Sequence, residues 1–119
     1  MIYAVDFDGT LCDNKWPDIG KPHRKIIDFL KSQKEHYGAE LILWTMREGE
    51  KLNQAVEWCR QHGLEFDAVN DNLEQLKASY GNNPRKVYAD YYIDDHNMSV
   101  EVASSRGELI QSIGPKKFE

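Results

Sequence analysis

Short, mostly apolar runs alternate along this chain with longer stretches whose apolar positions recur at helical spacing. Ile2–Phe7, Leu41–Trp44, Phe66–Val69 and Val87–Ile93 are the runs, and runs of this length read as strands buried on both faces of a parallel sheet. Between them, Ile26, Ile27 and Leu30 predict a helix that begins near Pro22 and stops before Gly38. Leu52, Ala55, Val56 and Cys59 form a one-sided stripe closed by Gly63. Leu73, Leu76 and Tyr80 predict a third helix, capped by Asp71 or Asn72 and ended by Gly81. The segment from Asp8 to Lys21, broken by Gly9, Pro17 and Gly20, reads as a loop, with Trp16 and Pro17 as a small flap. Leu109, Ile110 and Ile113 suggest a last helix or edge strand.

Strand–helix alternation implies parallel pairing with right-handed crossovers. The expected fold is therefore α/β: a three-layer α/β/α arrangement around a mostly parallel, Rossmann-like sheet. At 119 residues the chain has room for one domain, spanning 1–119. A parallel sheet sends the C-terminal ends of its strands to one rim, where α/β proteins bind ligands. Asp6 and Asp8, then Thr45 and Arg47, then Asp94 and Asp95 follow the first, second and fourth runs and converge there.

Two carboxylates at the end of an apolar strand are costly unless they meet a cation or share protons. The rim supplies what phosphoryl transfer needs. Asp6 is a candidate nucleophile. Asp8 is a candidate acid for the leaving oxygen and base for water. Thr45 can donate a hydroxyl to a phosphoryl oxygen, and a lysine can neutralise it. Arg47 is a candidate clamp for substrate or phosphate, since a guanidinium grips oxyanions bidentately. Asp94 and Asp95 would complete a hard oxygen site suited to Mg²⁺.

In this order, Asp6-Phe7-Asp8-Gly9-Thr10, Leu41-Ile42-Leu43-Trp44-Thr45 and Tyr92-Ile93-Asp94-Asp95 resemble the first, second and fourth motifs of the haloacid dehalogenase-like (HAD) superfamily of phosphohydrolases. The resemblance implies an aspartyl-phosphate on Asp6. It implies Mg²⁺ held by Asp6, the Asp8 backbone carbonyl and Asp94, with Asp95 direct or through water. For the third motif's lysine, Lys86 is preferred because it flanks the fourth strand, with Lys77 as the alternative. Members of the superfamily usually carry a cap domain. The short Asp8–Pro22 segment and the single helix between Val69 and Lys86 leave no room for one, so a capless HAD-like core is expected.

The implied activity is a Mg²⁺-dependent phosphatase acting on phosphomonoesters, with the phosphorylated substrate unidentified. Two other readings remain open. One is a receiver-like signalling domain that accepts a phosphoryl group, with Asp71 after the third strand as acceptor. The other is a non-catalytic Mg²⁺- or phosphate-binding module. The formal charge of −5 disfavours nucleic acid and anionic membranes as partners. A capless site leaves room for a second copy of the chain to cover it. Cys12 and Cys59 lack metal-ligand spacing, and no run reaches membrane-spanning length, which suits a reduced, cytoplasmic protein. His23, His36, His62 and His96 show no zinc-like spacing either.

Overall fold

The computed structural model describes residues 1–97. In chain order the elements are β1 (Ile2–Val5), β2 (Cys12–Lys15), β3 (Asp18–Pro22), α1 (Arg24–Tyr37), β4 (Glu40–Leu43), α2 (Gly49–Gln61), β5 (Ala68–Val69), α3 (Glu74–Tyr80) and β6 (Tyr91–Ile93). Four strands form a sheet in the order β5-β4-β1-β6 with every pair parallel, and β2 and β3 form a separate antiparallel hairpin. The expected apolar segment at Leu109, Ile110 and Ile113 lies outside the described residues.

The two-residue period of the strands divides the core. Tyr3 and Val5 of β1 and Leu41 and Leu43 of β4 pack with Ile27 and Leu30 of α1 and Ala55 and Cys59 of α2. Ala4 and Ile42 point the other way, against Leu73, Val87 and Ala89, with Leu76 of α3 alongside. Helices therefore cover both faces, giving the three-layer α/β/α fold. Strands buried on both sides carry no polar alternation, which is why they read as continuous apolar runs. α1 ends where Gly38 takes φ 66° and returns its N–H to the Gln33 carbonyl, a left-handed cap that glycine adopts without a Cβ clash.

Five boundaries differ from the sequence expectation. Asp8–Lys21 is not a loop, because Cys12–Pro22 forms the β2–β3 hairpin. Its residues show little apolar alternation, and side chains outside the two strands hold it. The His23 ring bonds the Thr10 carbonyl (2.9 Å) and the Asp13 carboxylate (2.8 Å), and Arg47 donates to the carbonyls of Pro17 and Asp18. Pro22 accordingly closes β3 instead of opening α1.

The third strand shortens to Ala68–Val69, with the Asp67 carboxylate accepting the Leu41 amide (2.8 Å) just ahead of it. The fourth shortens to Tyr91–Ile93. Before it, the Asp90 carboxylate takes the Ile2 amide (2.6 Å) and Asn72 takes the Tyr88 amide (2.8 Å). Neither Asp71 nor Asn72 caps α3, whose N-cap is Leu73. Asn72 is buried and ties down the segment before β6, donating to Asn83 and the Pro84 carbonyl. No described helix is long and apolar enough to cross a membrane.

Candidate active site

β1 lies between β4 and β6, so the residues that follow these strands are neighbours. The Asp6 amide donates to the Ile93 carbonyl at 2.9 Å, tying the end of β1 to the end of β6. Oxygens of Asp6, Asp94 and Asp95 all lie within 4.8 Å of one another. Burial, and then the charge of Asp94, push the Asp6 carboxyl up from 3.8 to about 7, with a smaller push from Asp95. The Phe7 amide and the Thr10 hydroxyl pull it back only in part. Thr10 joins two of the three acids, since its Oγ1 donates to Asp6 Oδ2 (3.2 Å) and accepts the Asp95 amide (3.0 Å).

Among the described residues Asp95 Oδ1 is buried without a hydrogen-bond partner, and His96 Nε2 stands 3.8 Å away, beyond hydrogen-bond range. An orphaned carboxylate oxygen beside two further carboxylates is unfavourable unless a cation or proton is shared among them. All three offer hard oxygen ligands, the donor type that Mg²⁺ selects. Gly9 makes the approach possible. It sits at φ +89°, and a Cβ there would lie 2.3 Å from Asp95 Oδ2.

Asp8 stands outside this carboxylate group. Arg47 grips it with a fork, Nε to Oδ2 at 2.8 Å and NH2 to Oδ1 at 2.7 Å. The same guanidinium donates to the carbonyls of Asp18 (3.0 Å), Pro17 (3.4 Å) and Lys51 (3.4 Å). It lies between the Phe7 and Trp16 rings, 5.0 and 4.9 Å from their centroids. With its side chain 1% exposed, Arg47 is not the substrate clamp that its position after Thr45 suggested. It braces Asp8 and the hairpin from inside. The sequence showed that a guanidinium can grip an oxyanion, and the oxyanion it grips is Asp8.

Thr45 keeps its expected place. It lines a cleft of about 440 Å³ together with Asp6, Trp44, Met46, Asn70 and Asp94. Its Oγ1 accepts the Arg47 amide (3.2 Å), which leaves the hydroxyl proton to donate elsewhere. Asn70, at φ 52°, accepts the Thr45 amide (2.8 Å) and reaches the Arg47 carbonyl (3.4 Å), fixing the turn after β4. Neither lysine lines this cleft. Lys86 is exposed, with Nζ 5.9 Å from the Tyr92 ring centre. Lys77 pairs with Asp71 (2.6 Å) and Glu74 (2.9 Å).

Sequence reasoning gave no role to the bridging by Thr10, to Asn70 or to the Arg47–Asp8 fork. Asn tolerates the left-handed region better than most residues, yet nothing local marks Asn70 as a strut for Thr45.

Searches of protein-family models and of curated proteins give no match. Among solved structures, a conserved protein from Bacteroides thetaiotaomicron is 42% identical with a TM-score of 0.73, over 82% of this chain and 78% of that one. The chain belongs to that protein's family. The likeness supports the α/β architecture.

Proposed function

We propose that this chain is a Mg²⁺-dependent phosphomonoesterase of the haloacid dehalogenase-like type, with Asp6 as nucleophile. The observation that carries the reading is the meeting of Asp6, Asp94 and Asp95 at one rim, with one Asp95 oxygen buried and unpartnered among the described residues. Asp6, Asp94 and Asp95 would hold the cation, which supplies positive charge to the phosphoryl oxygens and favours the ionised form of Asp6.

The Asp6 carboxylate attacks phosphorus, the bond from phosphorus to the leaving oxygen breaks, and that oxygen takes a proton from Asp8. Water then attacks the aspartyl-phosphate and gives its proton to Asp8, and inorganic phosphate leaves as the Asp6 carboxylate is restored. Both Asp8 oxygens accept from Arg47 in an ion pair, so before the first step Asp8 takes up from water the proton it will donate, on the second lone pair that each oxygen keeps. The Thr45 hydroxyl donates to a phosphoryl oxygen in the cleft. Lys86, exposed beside Tyr92, would reach the phosphoryl group only if its loop moved, and Lys77 only by leaving Asp71.

The test is hydrolysis of a generic aryl phosphate by the purified chain. The expected result is turnover that requires Mg²⁺ and falls to background in Asp6→Asn. Turnover that persists in a chelator, or in Asp6→Asn, would overturn the mechanism.

A further inference from the structure

Next to the cleft that holds Asp6 and Thr45 lies a second, of about 380 Å³, lined by Asp8, Asn14, Trp16, Met46 and Arg47. Met46 lines both and is 98% exposed. The division matches the chemistry. The nucleophile and the phosphoryl-binding hydroxyl face one cleft. Asp8, which serves the leaving oxygen, faces the other, so the leaving group belongs in the second cleft.

Trp16 is the outer member of a stack of Phe7, Arg47 and Trp16. Arg47 Cζ lies 4.9 Å from the indole centroid, yet Trp16 remains 57% exposed. An indole already fixed in place presents a ring face at little further entropic cost. The flexible Met46 side chain beside it suits an apolar ring. Asn14 adds an amide to the same wall. The clefts offer little to a second phosphate, because no described lysine lines either and Arg47 is committed to Asp8.

Resting on the phosphomonoesterase reading, we propose that Trp16 and Met46 receive a flat ring on the leaving group, and that the substrate is a small phosphomonoester of the nucleoside 5′-monophosphate class. The ring platform lies one cleft away from Asp6, so ring and phosphate must be joined by a spacer, as a ribose does and a phenyl ester does not.

The experiment compares adenosine 5′-monophosphate with ribose 5-phosphate, which share one leaving alcohol and differ by the base, in the full chain with Mg²⁺. Base stacking on an aromatic platform predicts a kcat/KM advantage for the nucleotide of roughly 5- to 100-fold. The advantage shrinks to within about threefold in Trp16→Ala and survives largely in Trp16→Phe, which keeps a stacking ring. Taking the ratio within each variant cancels any loosening of Arg47 beneath Trp16. Met46→Ser, at an exposed position, lowers the same ratio and guards against misfolding of Trp16→Ala.

A second arm measures binding without turnover. In Asp6→Asn, the nucleotide quenches tryptophan fluorescence saturably and ribose 5-phosphate does not, and the added Trp16→Phe change removes most of the quench. Equal kcat/KM values in the parent chain, or an advantage that survives Trp16→Ala, overturns the platform and leaves the phosphatase standing. A phenyl phosphate preference that depends on Trp16 overturns the spacer argument. Saturable quenching without hydrolysis of any ester sinks the phosphatase reading and retains the ring site.

Discussion

Replacing Arg47 by Met should be among the most damaging changes in the described part of the chain. The substitution keeps an unbranched apolar stem and deletes the guanidinium. Asp8, its side chain only 18% exposed, then loses two charge-assisted hydrogen bonds of 2.8 and 2.7 Å. Removing one partner of a buried ion pair costs about 3–5 kcal/mol. The partial exposure of Asp8 argues for the lower end. The contacts with Phe7 and Trp16 are worth about 0.5–2 kcal/mol each, and Met recovers part of that by packing. Asp18 and Pro17 are exposed, so their freed carbonyls turn to water at little cost.

The sum is a loss of about 3–4 kcal/mol, a large share of the roughly 5–15 kcal/mol that holds a domain folded. Urea denaturation reads it directly. With a slope of about 1–3 kcal/mol per molar for a small domain, the midpoint falls by more than about 1 M. Asp8→Asn with Arg47→Met should cost clearly less than the two single changes summed, because the second removes what the first has already orphaned. A loss below about 1 kcal/mol, or additive costs, would refute the view of Arg47 as an internal brace.

Three further outcomes are expected. Gly9→Ala forces a Cβ to within 2.3 Å of Asp95 Oδ2 and strains a residue at φ +89°; it should abolish Mg²⁺-linked thermal stabilisation, and a Mg²⁺ response equal to the parent's would contradict the proposed role of Asp95. Because the folded Asp6 carboxyl is raised from 3.8 to about 7, between these values the metal-free folded chain holds a proton that the unfolded chain has released. This group's contribution to stability is therefore full below about pH 4, falls as pH rises to about 7, and is level above. Melting curves in chelator should show that slope in the parent minus Asp6→Asn difference, and a difference independent of pH would refute it. Thr10→Val removes the hydroxyl that joins Asp6 to the Asp95 amide and should weaken Mg²⁺ binding about tenfold, as loss of a supporting hydrogen bond does at metal sites; unchanged affinity in a Mg²⁺ titration would count against it.

The middle of the parallel core was legible because β1 and β4 are buried on both faces and their composition declares them, whereas β6 carries the exposed Tyr91 and Tyr92. The convergence of Asp6 with Asp94 and Asp95 followed from that topology, since parallel strands share a rim. What stayed hidden depends on contacts between residues far apart in the chain. The β2–β3 hairpin has little apolar alternation of its own and is held by Arg47, far along the chain, and by His23 at its end. The inward turn of Arg47 follows from the proximity of Asp8, Phe7 and Trp16, which no local pattern announces. The preference for Lys86 depends on a rigid strand ahead of Tyr91, but Val87–Asp90 is irregular backbone tied down by Asn72 and Ile2. The expectation of an ordered lysine at the rim rested on that strand.

The central claim is that Asp6 takes the phosphoryl group while Asp94 and Asp95 share its cation. Acid quenching of the chain during turnover of a phosphomonoester with Mg²⁺, followed by peptide mass mapping, tests it most directly. The account predicts one phosphoryl adduct, on the peptide holding Asp6, absent without Mg²⁺ and absent in Asp95→Asn. An adduct on Asp71, or steady hydrolysis with no adduct on Asp6, would contradict it.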